Sequence, residues 1–171
     1  NRFSLAFRLR NCTFAVNMAN SYYYKVAEHV FVVNNETADD ITPWLDHYGP
    51  FRIIATDQEP VFTLHVKSDL KIGDFQQEIH QDDDGTIEGG LPCFRFLLRG
   101  KEVAVMVTNP TYHEASVAMT DCQQFGLDNA LMVMYALATA TRQTALFHSS
   151  VIGYEGHGYM FLGKSGTGKI A

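Results

Sequence analysis

Apolar and polar positions alternate along much of the first two-thirds of the chain. Pro60-Val61-Phe62-Thr63-Leu64-His65-Val66 has a period of two, the signature of a half-buried strand. The stretch from Tyr24 to Val33 is rich in β-branched and aromatic residues and ends at Asn34-Asn35, which predicts another strand. Ala38 to His47 predicts a short helix that Gly49-Pro50 stops. Phe75 to His80 and Thr86 to Glu88 flank Asp82-Asp83-Asp84-Gly85, whose composition suits a hairpin turn. Phe94 to Leu98 and Glu102 to Val107 flank Arg99-Gly100-Lys101 as a second hairpin, and Ala115 to Met119 adds a strand. Together these predict an antiparallel, β-rich module over residues 18–124 with little helix.

The pattern changes at Phe125. Gly126 to Arg142 carries Asp128 near its start and then a run from Ala130 to Ala138 that is apolar on every face, so it predicts a helix covered on more than one side. One face is expected on the N-terminal sheet. The opposite face is expected under the following hairpin, Ala145 to Gly153 and Gly158 to Leu162 around Tyr154-Glu155-Gly156-His157. The fold class is therefore α+β, with residues 125–171 forming a buried helix and the opening of a second unit. Left partly uncovered, that helix would favour self-association. No internal repeat is present.

Composition narrows the function classes. The chain has 171 residues, 46% of them hydrophobic and 19% charged, which excludes disorder and coiled coil as overall descriptions. Its net charge of −6 advertises no general polyanion-binding surface, so nucleic acid is not an expected partner. The longest uncharged apolar run, Asn129 to Thr141, falls short of the ~20 residues of a membrane span. Cys12, Cys93 and Cys122 are far apart and not in metal or disulfide spacing, which fits a reducing cytoplasm. Residues 1–17 carry Arg2, Arg8 and Arg10 with no acid, a composition foreign to the rest. They read as a presequence before Met18 or, together at least as well, as an added edge strand or an upstream translated stretch.

The chemistry concentrates near the last residues of the sequence. Gly163-Lys164-Ser165-Gly166-Thr167-Gly168-Lys169 fits the first seven positions of the phosphate-loop pattern GxxxxGK[ST]. Glycines permit the backbone angles that turn successive N–H groups inward as an anion nest, and Lys169 would reach the outer phosphates as a point charge. The strand Tyr159-Met160-Phe161-Leu162 in front supplies the context the motif needs. Position 170 is Ile where the pattern has Ser or Thr, so the hydroxyl that would bind Mg²⁺ is missing. The helix and later strands of such a domain do not follow in the sequence.

Phe147-His148-Ser149-Ser150-Val151-Ile152, Gly156-His157-Gly158-Tyr159-Met160-Phe161-Leu162 and the loop after them resemble the strand, hairpin and phosphate loop of the HPr kinase/phosphorylase family. The Ser165-Gly166-Thr167-Gly168-Lys169 core is equally similar to ATP-dependent phosphoenolpyruvate carboxykinase, which shares that fold. A looser similarity to an HPr-kinase-like bacterial group extends back to about residue 22, through Glu59-Pro60-Val61-Phe62-Thr63-Leu64 and Asn129-Ala130-Leu131-Met132. The resemblance implies ATP and Mg²⁺ as cofactors and phosphoryl transfer to a Ser hydroxyl, on a protein, or to a small acid. Ile170 favours the alternative of a non-catalytic regulatory module with a decayed loop.

Other candidates are weaker. The seven histidines show no HxxxH or HxH spacing, so no metal site is expected. His148 is singled out as a catalytic candidate because a strand before the loop can bring it near the phosphates; the alternative is a hydrogen-bonded strand histidine. Thr86 and Ile87 fall where a calcium loop after Asp82 needs a ligand and a glycine, so a solvated turn is expected there. Tyr22-Tyr23-Tyr24, Phe31, Phe62, Phe75, Phe94 and Phe96 offer a stacking surface for bases or sugars or, alternatively, a core. Between Glu28 and Glu88, fourteen acids against three bases argue for the core.

Overall fold

The computed structural model describes residues 21–70, 80–81, 87–88, 91–147 and 149–163. The segment expected as one strand from Tyr24 to Val33 is a hairpin of β1 (Ser21–Val26) and β2 (His29–Asn35). Its two-residue turn, Ala27 and Glu28, has φ of 44° and 72°. Both angles are positive, as a hairpin turn twisted to match its strands requires, but neither residue is a turn former, so composition gave no warning. The expected helix over 38–47 shrinks to one turn, α1 (Thr42–Leu45), which runs into a 3-10 turn, Asp46–Phe51. Then come β3 (Arg52–Ile53), β4 (Phe62–Lys67), β5 (His80–Gln81), β6 (Ile87–Glu88), β7 (Cys93–Leu98), β8 (Lys101–Thr108) and β9 (Glu114–Met119). β5 and β6 pair antiparallel on either side of the acidic turn.

Seven strands form one sheet in the order β3-β1-β2-β4-β9-β8-β7. The expectation of an antiparallel module fails at its centre, where β4 lies parallel to both β2 and β9. Long connections make this available: α1, the 3-10 turn and β3 separate β2 from β4, and the β7–β8 hairpin precedes β9. The fold is mixed α+β, strand-rich with few helices.

Period-two patterning sorts β4 as expected. Phe62, Leu64 and Val66 are buried on one face, and Thr63, His65 and Lys67 are half-buried on the other. The apolar face packs under α2 (Gln123–Thr139) through Leu127, Ala130, Leu131, Met134, Tyr135 and Ala138. Tyr24 stacks on Phe31 and Phe31 on Phe62, with ring centroids 5.2 and 5.0 Å apart, and Tyr135 meets Phe31 edge-on. Tyr24, Phe31 and Phe62 are therefore core, not a platform for bases or sugars. Gly126 is needed for the helix to lie this close, since a Cβ there would fall 2.8 Å from the Ala104 Cβ.

Among the described residues, the helix is covered on one side only. It packs against β4, β8, β9 and α1, while Met132 on its outer face is 49% exposed. An apolar outer stripe of this size, built from Met132 and Ala136, is tolerable in water, because single exposed apolar residues are common. The hairpin expected to cover it, β10 (Ser150–Tyr154) and β11 (His157–Phe161), forms a separate two-stranded sheet. No described helix is long and apolar enough to cross a membrane.

Candidate functional site

β10 and β11 turn through Glu155 and Gly156, both at positive φ, with Tyr154 opposite His157. β11 ends at Phe161, and Gly163, the first residue of the phosphate-loop pattern, follows two residues later. The strand-into-glycine context of the motif is thus present. Lys164, Ser165, Gly166, Thr167, Gly168, Lys169 and Ile170 lie outside the described residues, as does His148. By sequence the loop carries two lysines, Lys164 and Lys169, and no hydroxyl at position 170 for Mg²⁺.

The described residues hold a second group that local spacing did not predict. His65 stands on the face of the sheet away from α2, and both its ring nitrogens meet carboxylates. Nδ1 lies 2.5 Å from Glu36 Oε1, just past the end of β2, and Nε2 lies 2.9 Å from Glu114 Oε2, at the start of β9. Lys67 Nζ approaches the other Glu36 oxygen at 3.6 Å. A neutral imidazole has one N–H to donate and the protonated ring has two, so the ring donates to one carboxylate in the first form and to both in the second. The parallel pairing of β4 with both neighbours brings the groups together, because it sets the end of β2 and the start of β9 beside the middle of β4. A cleft of about 320 Å³ opens beside them, with Asn109 and Ser116 on its wall. The alternation of Thr63, His65 and Lys67 was the available signal; the partners, 29 and 49 residues away in sequence, gave none.

A third cluster ties the 3-10 turn to α2. Asp128 Oδ1 lies 3.0 Å from His47 Nε2 and accepts the Tyr48 hydroxyl at 3.2 Å. Burial, and then the Asp128 charge, push the Tyr48 phenol above its ordinary range. Asn35 uses its amide in a local turn: Nδ2 donates to Asp39 O at 2.7 Å, and Oδ1 accepts from the Thr37 amide and hydroxyl. Among the described residues, no group of three or more His, Cys, Asp or Glu side chains is placed to hold a metal ion. Cys93 and Cys122 are free and exposed.

Set beside known proteins, the chain matches no family model, no curated protein and no solved structure.

Proposed function

We propose that the chain binds the phosphates of ATP at Gly163 to Lys169 and belongs to an HPr-kinase-like phosphotransferase, acting on a Ser hydroxyl or a small acid in a reducing cytoplasm. The observation that carries this reading is the sequence Gly163-Lys164-Ser165-Gly166-Thr167-Gly168-Lys169 placed directly after a β-strand. In this reading the backbone amides from Ser165 to Lys169 cradle the β- and γ-phosphates, and Lys169 neutralises their charge. Ile170 removes the loop's own ligand for Mg²⁺, so the nucleotide binds here through its phosphates and the loop lysine.

Isothermal titration of the chain with ATP, with and without Mg²⁺, tests the proposal. Saturable binding that Lys169→Ala abolishes, with an unchanged circular dichroism spectrum, supports it. A folded protein that binds nothing at about millimolar nucleotide overturns it. Ile170 favours a second reading, a regulatory module with a decayed loop. Ile170→Ser separates the two: restored Mg²⁺ dependence of ATP binding supports the phosphotransferase ancestry, and its absence supports the module.

A further inference from the structure

We propose that the cleft between Glu59, Glu114 and Arg142 binds a free α-amino acid, Arg142 taking the carboxylate and the two glutamates the ammonium. The cleft has a volume of about 520 Å³ and lies between the segment leading into β4, the turn before β9 and the turn after α2. This is within the ~300–1,000 Å³ of small-molecule sites.

Backbone bonds hold each of its three walls. Val61 N donates to Val30 O at 2.7 Å, and Thr63 N to His113 O at 2.9 Å, which fixes the entry to β4. The Asn109 side-chain oxygen accepts from the amides of His113 and Glu114, at 2.9 and 3.2 Å, and so pins the turn before β9. Arg142 N donates to Thr139 O at 2.8 Å, and Thr144 joins His29 Nε2 at 2.8 Å, which ties the turn after α2 back to β2. The walls are set, and the side chains of Glu59 and Arg142 on them are left over.

Their charges are opposite and are not spent on each other. Among the described residues, no hydrogen bond or ion pair engages the side chain of Arg142 or Glu59. Glu114 gives Oε2 to His65 on its far side, which anchors the carboxylate at the shared wall of the two clefts. A simple anion would meet Arg142 but face two carboxylates, and a simple amine would meet the carboxylates but face a guanidinium. A ligand carrying both charges on groups bonded to one carbon satisfies both sides, with the planar guanidinium able to hold a carboxylate through two parallel bonds. Thr63 and His113 also line the cleft and carry hydrogen-bonding groups. Because the charges are exposed to water, the expected affinity is modest, a Kd of roughly 10⁻⁴–10⁻³ M.

The test is a two-dimensional NMR titration of the full chain with L-alanine and with its two one-charge analogues, propionate and ethylamine. Saturable shifts at the amides of Thr63, His113 and Arg142 with alanine, and neither analogue saturating at about tenfold higher concentration, support the proposal. Arg142→Gln and Glu59→Gln, both at exposed positions, should each weaken alanine binding by about tenfold or more and leave the rest of the spectrum in place. A mixture of the protein amino acids serves as the second probe. No shifts from the mixture or from alanine at about 10 mM, propionate binding as well as alanine, or variants that bind unchanged would each overturn it. Nucleotide binding at the phosphate loop is a separate measurement and does not enter the outcome.

Discussion

β4 and β11 are built from similar residues and end in opposite environments. β4 reads Phe-Thr-Leu-His-Val-Lys and has a hydrogen-bonded strand on each side, so Phe62, Leu64 and Val66 reach the core with almost no exposure. β11 reads His-Gly-Tyr-Met-Phe and pairs with β10 alone; Tyr159, Met160 and Phe161 stay about half exposed. Strand-forming residues make both strands, but only a second layer makes a core. For β4 that layer is α2. A two-stranded ribbon without one is marginal by itself, and the turn chemistry of Glu155-Gly156 specifies its hairpin more than burial does.

The sharpest way to break the comparison is to truncate one aromatic ring on each side of it. Phe62→Ala removes a buried ring that stacks on Phe31 and should cost about 3–5 kcal/mol, a large part of an ordinary domain's stability. Equilibrium urea unfolding reads this directly. A loss below about 1 kcal/mol would mean that β4 is not in the core.

Alkaline pH gives the next largest effect and again singles out the sheet. Burial pushes the Tyr24 phenol from 10.0 up to about 12, and burial with Asp128 raises Tyr48. Folding disfavours the phenolate, so the unfolded chain ionises first. The stabilising contribution is whole below pH 10.0 and is lost as pH rises through about 12. The urea midpoint should therefore fall over this interval, and Tyr24→Phe should flatten the fall. Equal slopes for parent and variant would place Tyr24 in water.

Helix packing supplies a smaller and more local test. At Gly126 an added Cβ would lie 2.8 Å from the Ala104 Cβ and 3.0 Å from the Met119 Cγ. Ala104 cannot swing aside, because its Cβ sits on the backbone of β8. Gly126→Ala gains up to about 1 kcal/mol in helix propensity but overpacks the contact by about 1–3 kcal/mol, so net destabilisation is expected from thermal melts. A stabilised variant would show that α2 stands off the sheet.

How much of this was legible followed the range of each interaction. The period of two around Phe62 fixed which side chains point to the core, and glycine at positions 100 and 156 marked two of the hairpins, because both signals are local. The β1–β2 turn was not legible, since Ala27 and Glu28 hold positive φ without being turn formers. Strand order was not legible either, because alternation states which face a residue occupies and says nothing of which strand lies beside it. That is why β4 between two parallel neighbours was unforeseen, and with it the His65 cluster: Glu36 and Glu114 reach the imidazole only through that pairing. The phosphate-loop pattern is a run of seven consecutive residues, of which Gly163 alone is among the described ones.

The smallest expected effect belongs to the hairpin and completes the comparison. Phe161→Ala removes a ring as large as the one at Phe62, from a position 51% exposed in a strand with one neighbour. Half of its transfer free energy is already forgone in the folded state, and the space it leaves fills with water instead of becoming a cavity. The half that remains sets the change in unfolding free energy at about 1 kcal/mol or less, several-fold below that of Phe62→Ala. Tyr159→Ala, at 50% exposure, should behave alike. If both cost about 2 kcal/mol or more, the hairpin is buried in solution, and a dependence of that cost on protein concentration would identify a second copy of the chain as what covers it.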